Sequence, residues 1–344
     1  MYLLPLQTDN VAPGASRIVP EGAQIEVLAD DLMFTEGPVW NAGALYYTDI
    51  VGNQIIKWSP DGGNQVIMEP AGHPDGMTVD AEGRLLVAGW GARTVWRWEH
   101  DGSTRVLAAF DTTGAHNRAT TVREWSPKLN SPNDIITSST GVVYFTDPMG
   151  GLFNVAMCDF DVQKHLDYQG VYMLKNIERA PSPAGGRSPD PGEDGWELTL
   201  LGNDFENPNG LCFSPDESLL YINDTPRQHI RVFDVQPDGT LTSGRLFAET
   251  RGSEPSAPDG MKVDVEGNVY VTGPGGIHVF DPAGKLLLRL LMPGPPANFT
   301  FGDGDWRTMY VTARQYLYRV RLGITGLPLG PHNRLDALRQ AGRG

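Results

Sequence analysis

One motif recurs six times along the chain, and that recurrence restricts the fold more than any other feature of the sequence. Its clearest copy is Ala257 to Lys285, APDGMKVDVEGNVYVTGPGGIHVFDPAGK. The copy reads as a short strand, a turn at Glu266-Gly267-Asn268, a strand from Val269 to Thr272, a glycine-rich turn, a strand from Ile277 to Phe280 and a closing turn at Pro282-Ala283-Gly284. That is an antiparallel meander. The six copies cover residues 34–62, 73–102, 131–175, 207–239, 257–285 and 298–322, each with three strands and room for a fourth. A unit of this kind cannot cover its own apolar faces, so the copies must pack face to face and close into a ring. The predicted fold is all-β: a six-bladed β-propeller formed as a single domain by residues 1–344 around a central channel. Residues 24–28 alternate and supply the outermost strand of the last blade, so that the chain ends meet in one sheet. The tail from Thr325, with Leu335-Asp336-Ala337-Leu338, reads as a short helix or a loose end.

Composition narrows the function. With 41 glycines and 27 prolines the chain suits many short strands and tight turns, and no stretch sustains a helical period. Forty-two acidic against 27 basic residues leave a net charge of −15. Such a surface repels phosphate backbones and anionic headgroups, which argues against nucleic acid and membrane partners. The two cysteines, Cys158 and Cys212, make no disulfide framework, and Cys212 reads as a small core residue. No segment approaches the roughly 20 apolar residues of a membrane span, and the first residues lack a basic leader. The expected location is cytoplasmic, or periplasmic if a signal peptide was removed; the oligomeric state is not legible.

Three insertions interrupt the repeat. Those at 112–127 and 149–168 fall near strand ends, and the second, with Leu152, Phe153, Met157, Phe160 and His165, suits either a lid over a pocket or a loop packed for local stability. The third, Ala180 to Trp196, is rich in Pro and Gly and reads as a disordered surface excursion.

Aligned on their first strands, the copies place Glu36, Asp75, Asn133, Asn209, Asp259 and Asn298 at one position, and all six carry a side-chain oxygen. First strands line a propeller's channel, so these residues form a ring at one mouth. PDG and PNG are also ordinary turn sequences, which accounts for Asp75 and Asn298 without any chemistry. Glu36 resists that explanation, because Glu is a poor turn former. Carboxylates crowded into a narrow channel repel one another unless one is protonated or a cation lies between them, and a cation is the simpler answer. Oxygen donors without Cys or paired His favour Ca²⁺, with Mg²⁺, Mn²⁺ or Zn²⁺ as alternatives.

EGPVW followed by YYTDI, LNSPNDI with YFTDP, ENPNGLCFSPDESLLYINDT, and the 257–285 copy together resemble the senescence-marker-protein/gluconolactonase family, over Phe34 to Leu322. The resemblance implies a divalent metal held by Glu36, Asn133, Asn209 and Asp259, and hydrolysis of a sugar lactone with Asp259 as general base. His73, Asp75 and Asn298 are then the expected substrate contacts. Whether Asp259 or the metal itself activates the water stays open. Two alternatives remain: a phosphotriesterase of the similar diisopropylfluorophosphatase type, and a non-catalytic binding propeller with a structural ion. Asp147 and Asp224 read as turn-capping residues, and Trp40, Trp90 and Trp306 as packing aromatics.

Overall fold

The computed structural model describes residues 2–342 apart from positions 10, 14, 112, 114–126, 154–161 and 177–194. Most of the first and third insertions, and Met157, Cys158 and Phe160 of the second, lie outside the described residues. Six antiparallel sheets form the molecule, and in four of them strand order follows chain order from the axis outward. Blade I consists of Thr35–Asn41, Ala44–Asp49, Gln54–Ser59 and Gly63–Met68; blade II of Met77–Val79, Leu85–Gly89, Thr94–Trp98 and Thr104–Ala108. Blade III has Ile135–Thr137, Val143–Asp147, Gly170–Asn176 and Trp196–Gly202; blade IV has Pro208–Phe213, Leu219–Asp224, His229–Val235 and Leu241–Glu249. Blade V has Met261–Val263, Val269–Gly273, Gly276–Phe280 and Leu286–Leu291. Blade VI takes Asn298–Gly302, Thr308–Ala313 and Tyr316–Arg321 from the end of the chain and Gln24–Ala29 from its beginning. The first strands touch in cyclic order, VI against I included, so the ring is closed.

Burial falls from the axis outward. First strands are buried along nearly their whole length, whereas the outermost strand of blade I faces solvent for four of its six residues. The apolar core lies between blade faces: Leu86, Ala88 and Val95 of blade II meet Ile135, Val143 and Phe145 of blade III. Trp40 of blade I stacks on Tyr310 of blade VI with ring centroids 5.2 Å apart, across the point where the ring closes.

Both chain ends contribute structure beyond the six copies. Tyr2–Pro5 pairs with Gln24–Ala29, and Gln7–Asp9 pairs with Leu286–Leu291, giving blades VI and V a fifth strand each. The C-terminal tail is not a loose end. It forms a helix, Pro331–Gln340, and docks where the first strands finish. Leu327 N–H donates to Val263 O at 2.9 Å, Asn333 Nδ2 donates to Trp40 O at 3.0 Å, and the Arg334 guanidinium donates to Ser214 O. Blades I, IV and V are thus bridged at one mouth of the channel, while the ring of oxygens stands where the first strands begin, at the other. No helix among the described residues is long and apolar enough to cross a membrane.

Candidate active site

The six ring residues come together as three acid–amide pairs. Asn133 Nδ2 donates to Asp75 Oδ2 at 2.6 Å, the Asn209 amide favours the charged form of Asp259, and the Asn298 amide favours the charged forms of Glu36 and of neighbouring Asp134. Glu36, Asp75, Asn209 and Asn298 are buried, whereas Asn133 and Asp259 keep partial contact with solvent. Asp259 and Asn133 are therefore the ring residues a soluble ligand reaches first.

Three blades each position the ring residue of the next. The second strands of blades I, III and IV end in Thr48-Asp49, Thr146-Asp147 and Asn223-Asp224. Thr48 Oγ1 donates to Asp75 O at 3.0 Å, Thr146 Oγ1 to Asn209 O at 2.8 Å, and Asn223 Nδ2 to Asp259 O at 2.5 Å, in each case crossing to the next blade. The aspartate that follows holds the entry loop of its own blade: Asp49 accepts from the N–H groups of Met33 and Phe34, Asp147 from Asn130, and Asp224 from Glu206 and Asn207. Asp147 and Asp224 are loop-capping residues, as their sequence context suggests. The preceding Thr or Asn is the part sequence inspection passed over, although the repeated Thr-Asp and Asn-Asp dipeptides carried the signal.

Blades approach so closely here that a side chain is excluded. A Cβ at Gly210 would stand 1.9 Å from Asp259 O. Gly210→Ala is therefore expected to displace Asp259 and to lower turnover at least about tenfold while the circular dichroism spectrum stays unchanged, since a shift of about 1 Å costs on the order of 10²-fold in a positioned site. Wild-type activity in this variant would show that the placement of Asp259 is unimportant.

The electrostatics are severe. Burial pushes Glu36 up to about 7, with the Asp134 charge adding to the rise. Asp75 and Asp259 are raised well above the usual carboxylate range, first by burial and then by Glu36. Asp134 and Lys262, two residues sequence inspection did not single out, lie beside the ring, 2% exposed each. Lys262 Nζ stands 4.0 Å from Asp134 Oδ2. Four carboxylates share this one ammonium within the cluster, and burying that excess of negative charge is unfavourable unless protons or a cation compensate. Lys262 was detectable in principle, as a charged residue in the otherwise apolar strand Met261–Val263.

A divalent cation fits this set. Asn209 Oδ1 is buried without a hydrogen-bond partner, and Glu36 and Asp259 supply hard anionic oxygen. Among the described residues no three His, Cys, Asp or Glu side chains are arranged to hold a metal. The four residues expected to do so include two amides and fall outside such a grouping.

His73 lies on the approach to Asp75 but is tied down: its Nδ1 is 2.8 Å from Ile50 O, and its N–H donates to Asn53 Oδ1 at 2.7 Å. The rim above blades I to III is apolar, with Ile50 and Trp90 buried against Phe34 and Val162. Trp90 thus packs at the mouth, whereas Trp306 belongs to the far end, its Nε1 donating to Asp336 of the C-terminal helix. Of the second insertion, Leu166 is fully buried, His165 Nδ1 accepts from Lys128 N at 3.0 Å, and Phe153 is 77% exposed.

Fold and site together define a six-bladed propeller with an acid-rich, oxygen-lined mouth. The SMP-30/gluconolactonase/LRE-like region model matches residues 103–315. A gluconolactonase of Zymomonas mobilis is 32% identical over 92% of this chain and 86% of its own length. A solved gluconolactonase from Xanthomonas campestris superimposes with a TM-score of 0.76 at 30% identity, covering 94% of this chain and 98% of its own. Regucalcin from Agrobacterium tumefaciens, described as a calcium-binding protein, shares the fold with a TM-score of 0.63 at 17% identity, over 87% and 93% of the two chains. The chain belongs to the SMP-30/gluconolactonase family.

Proposed function

We propose that this protein is a cation-dependent lactonase that opens a sugar lactone to its aldonic acid. One observation carries the proposal: three acid–amide pairs from six blades converge at the channel mouth, with carboxylates in excess and the Asn209 oxygen unpartnered. The gluconolactonase relatives support the same substrate class. Glu36, Asn133, Asn209 and Asp259 would hold the cation, and their oxygen chemistry favours Ca²⁺. When bound, the cation acts as a Lewis acid toward the lactone carbonyl.

The protein's own residues do the rest. Asp259, the partly exposed carboxylate, takes a proton from water as the water oxygen bonds to the carbonyl carbon. The ring C–O bond then breaks, and its oxygen leaves as a hydroxyl by taking the proton that Asp259 had accepted, which restores the carboxylate. The aldonic acid ionises, so each turnover releases one proton to solution. Asp75 and Asn133, joined by their hydrogen bond, and His73 behind them offer polar contacts for sugar hydroxyls. The apolar rim at Trp90 excludes water from that side.

The test is elemental analysis of the purified protein together with proton release on an aldonolactone panel and a phosphotriester panel, each with and without chelator. Divalent metal near one equivalent and chelator-sensitive lactone opening are expected. Turnover of phosphotriesters alone, or of neither panel, would overturn the proposal.

A further inference from the structure

Lys262 sits in a strand whose three residues are all buried, three positions beyond Asp259, and its side chain is 3% exposed. A buried ammonium is costly unless its donors are used. Its Nζ donates to Asn298 Oδ1 at 3.1 Å, faces Asp134 Oδ2 at 4.0 Å and lies 5.7 Å from the ring centre of Phe299. The same Asn298 oxygen accepts from Phe299 N at 2.9 Å. It is also packed against Gly260, where a Cβ would stand 2.1 Å from it.

Asn298 therefore differs from the other two amides of the ring. All three lie against an acid, but Asn209 Oδ1 has no partner, whereas the Asn298 oxygen has two donors. Resting on the lactonase proposal above, we infer that Lys262 is a positioning residue that locks the Asn298 carboxamide, keeping its oxygen out of the cation's shell so that coordination positions stay open for substrate. Asn298 then serves the site through its N–H groups, which face Glu36 and Asp134. Without the ammonium only the Phe299 N–H still holds that oxygen, so the carboxamide turns more readily and its oxygen competes with substrate for the cation.

The experiment compares Lys262→Met with Lys262→Gln. Both remove the charge, but Gln keeps an N–H donor for the Asn298 oxygen. Calcium affinity of the demetallated proteins is measured by calorimetry, and kcat/KM on an aldonolactone in parallel. Lys262→Met is expected to bind Ca²⁺ at least about fivefold more tightly than Lys262→Gln and to lose about 10- to 100-fold in kcat/KM, the range seen when a residue orienting a metal site is removed. With Asn298→Leu added, the two variants should become indistinguishable. If Lys262→Met does not fold, both variants are made together with Asp134→Asn, so that no lone charge is left buried. Equal affinity and turnover in the Met and Gln variants would overturn the inference and leave Lys262 a charge-balancing residue. Failure of the lactonase proposal looks different: the wild type itself opens no lactone, and the calcium comparison still decides the role of Lys262. A wild type that takes up no divalent cation overturns both.

Discussion

Asp259→Asn is expected to lower kcat/KM on an aldonolactone by about 10²- to 10⁴-fold, the range for loss of a general base, while calorimetry still finds a bound cation. The substitution keeps a side chain of nearly the same size with an oxygen, and it leaves untouched the main-chain oxygen of residue 259 that stands close against Gly210. The hydrogen bond between Asp259 N–H and Thr272 Oγ1, 3.0 Å, and that from Asn223 to Asp259 O involve only main-chain atoms of residue 259 and survive the change. Only the proton-accepting charge is removed. If the Asn variant turns over at the wild-type rate, another group is the base; if it loses its cation altogether, Asp259 is mainly a ligand.

The second large effect concerns the cation and pH together. In the cation-free protein Glu36 titrates near 7 rather than 4.5, because burial favours its neutral form. A carboxyl group raised in this way contributes stability that is complete below its unfolded value and is lost as pH rises through its folded one. The displacement corresponds to about 3 kcal/mol for this group between roughly pH 4.5 and 7. A bound cation takes the place of the proton. At a free concentration about a thousandfold above its dissociation constant it adds about 4 kcal/mol. Chelator is therefore expected to lower Tm by several degrees at pH 8 and by less than half as much at pH 5.5, measured by scanning calorimetry. An equal shift at both pH values, or none, would show that cation and protons do not compete for these carboxylates.

The strand meander of residues 257–285 is legible because a two-residue period and glycine turns are local properties. Predicted strands at Val269–Thr272 and Ile277–Phe280 agree with observed ones at Val269–Gly273 and Gly276–Phe280. The pairing of residues 24–28 with the last blade also follows, since a closed ring needs a final strand and that stretch alternates. Tyr2–Pro5 and Gln7–Asp9 were not legible as strands: they are short, largely exposed, and exist only because edges of blades VI and V are there to pair with.

The sequence by itself determined the six-blade plan and placed an oxygen-bearing side chain at the head of each copy, because both are written in local, repeated patterns. Only the tertiary structure decided that Asn133 pairs with Asp75, that Lys262 engages Asn298 and Asp134, and that residues 331–340 close the far mouth. Those contacts join residues 36 to about 290 positions apart. Which atom of an amide meets which partner depends on how neighbouring blades pack, and no single copy encodes that.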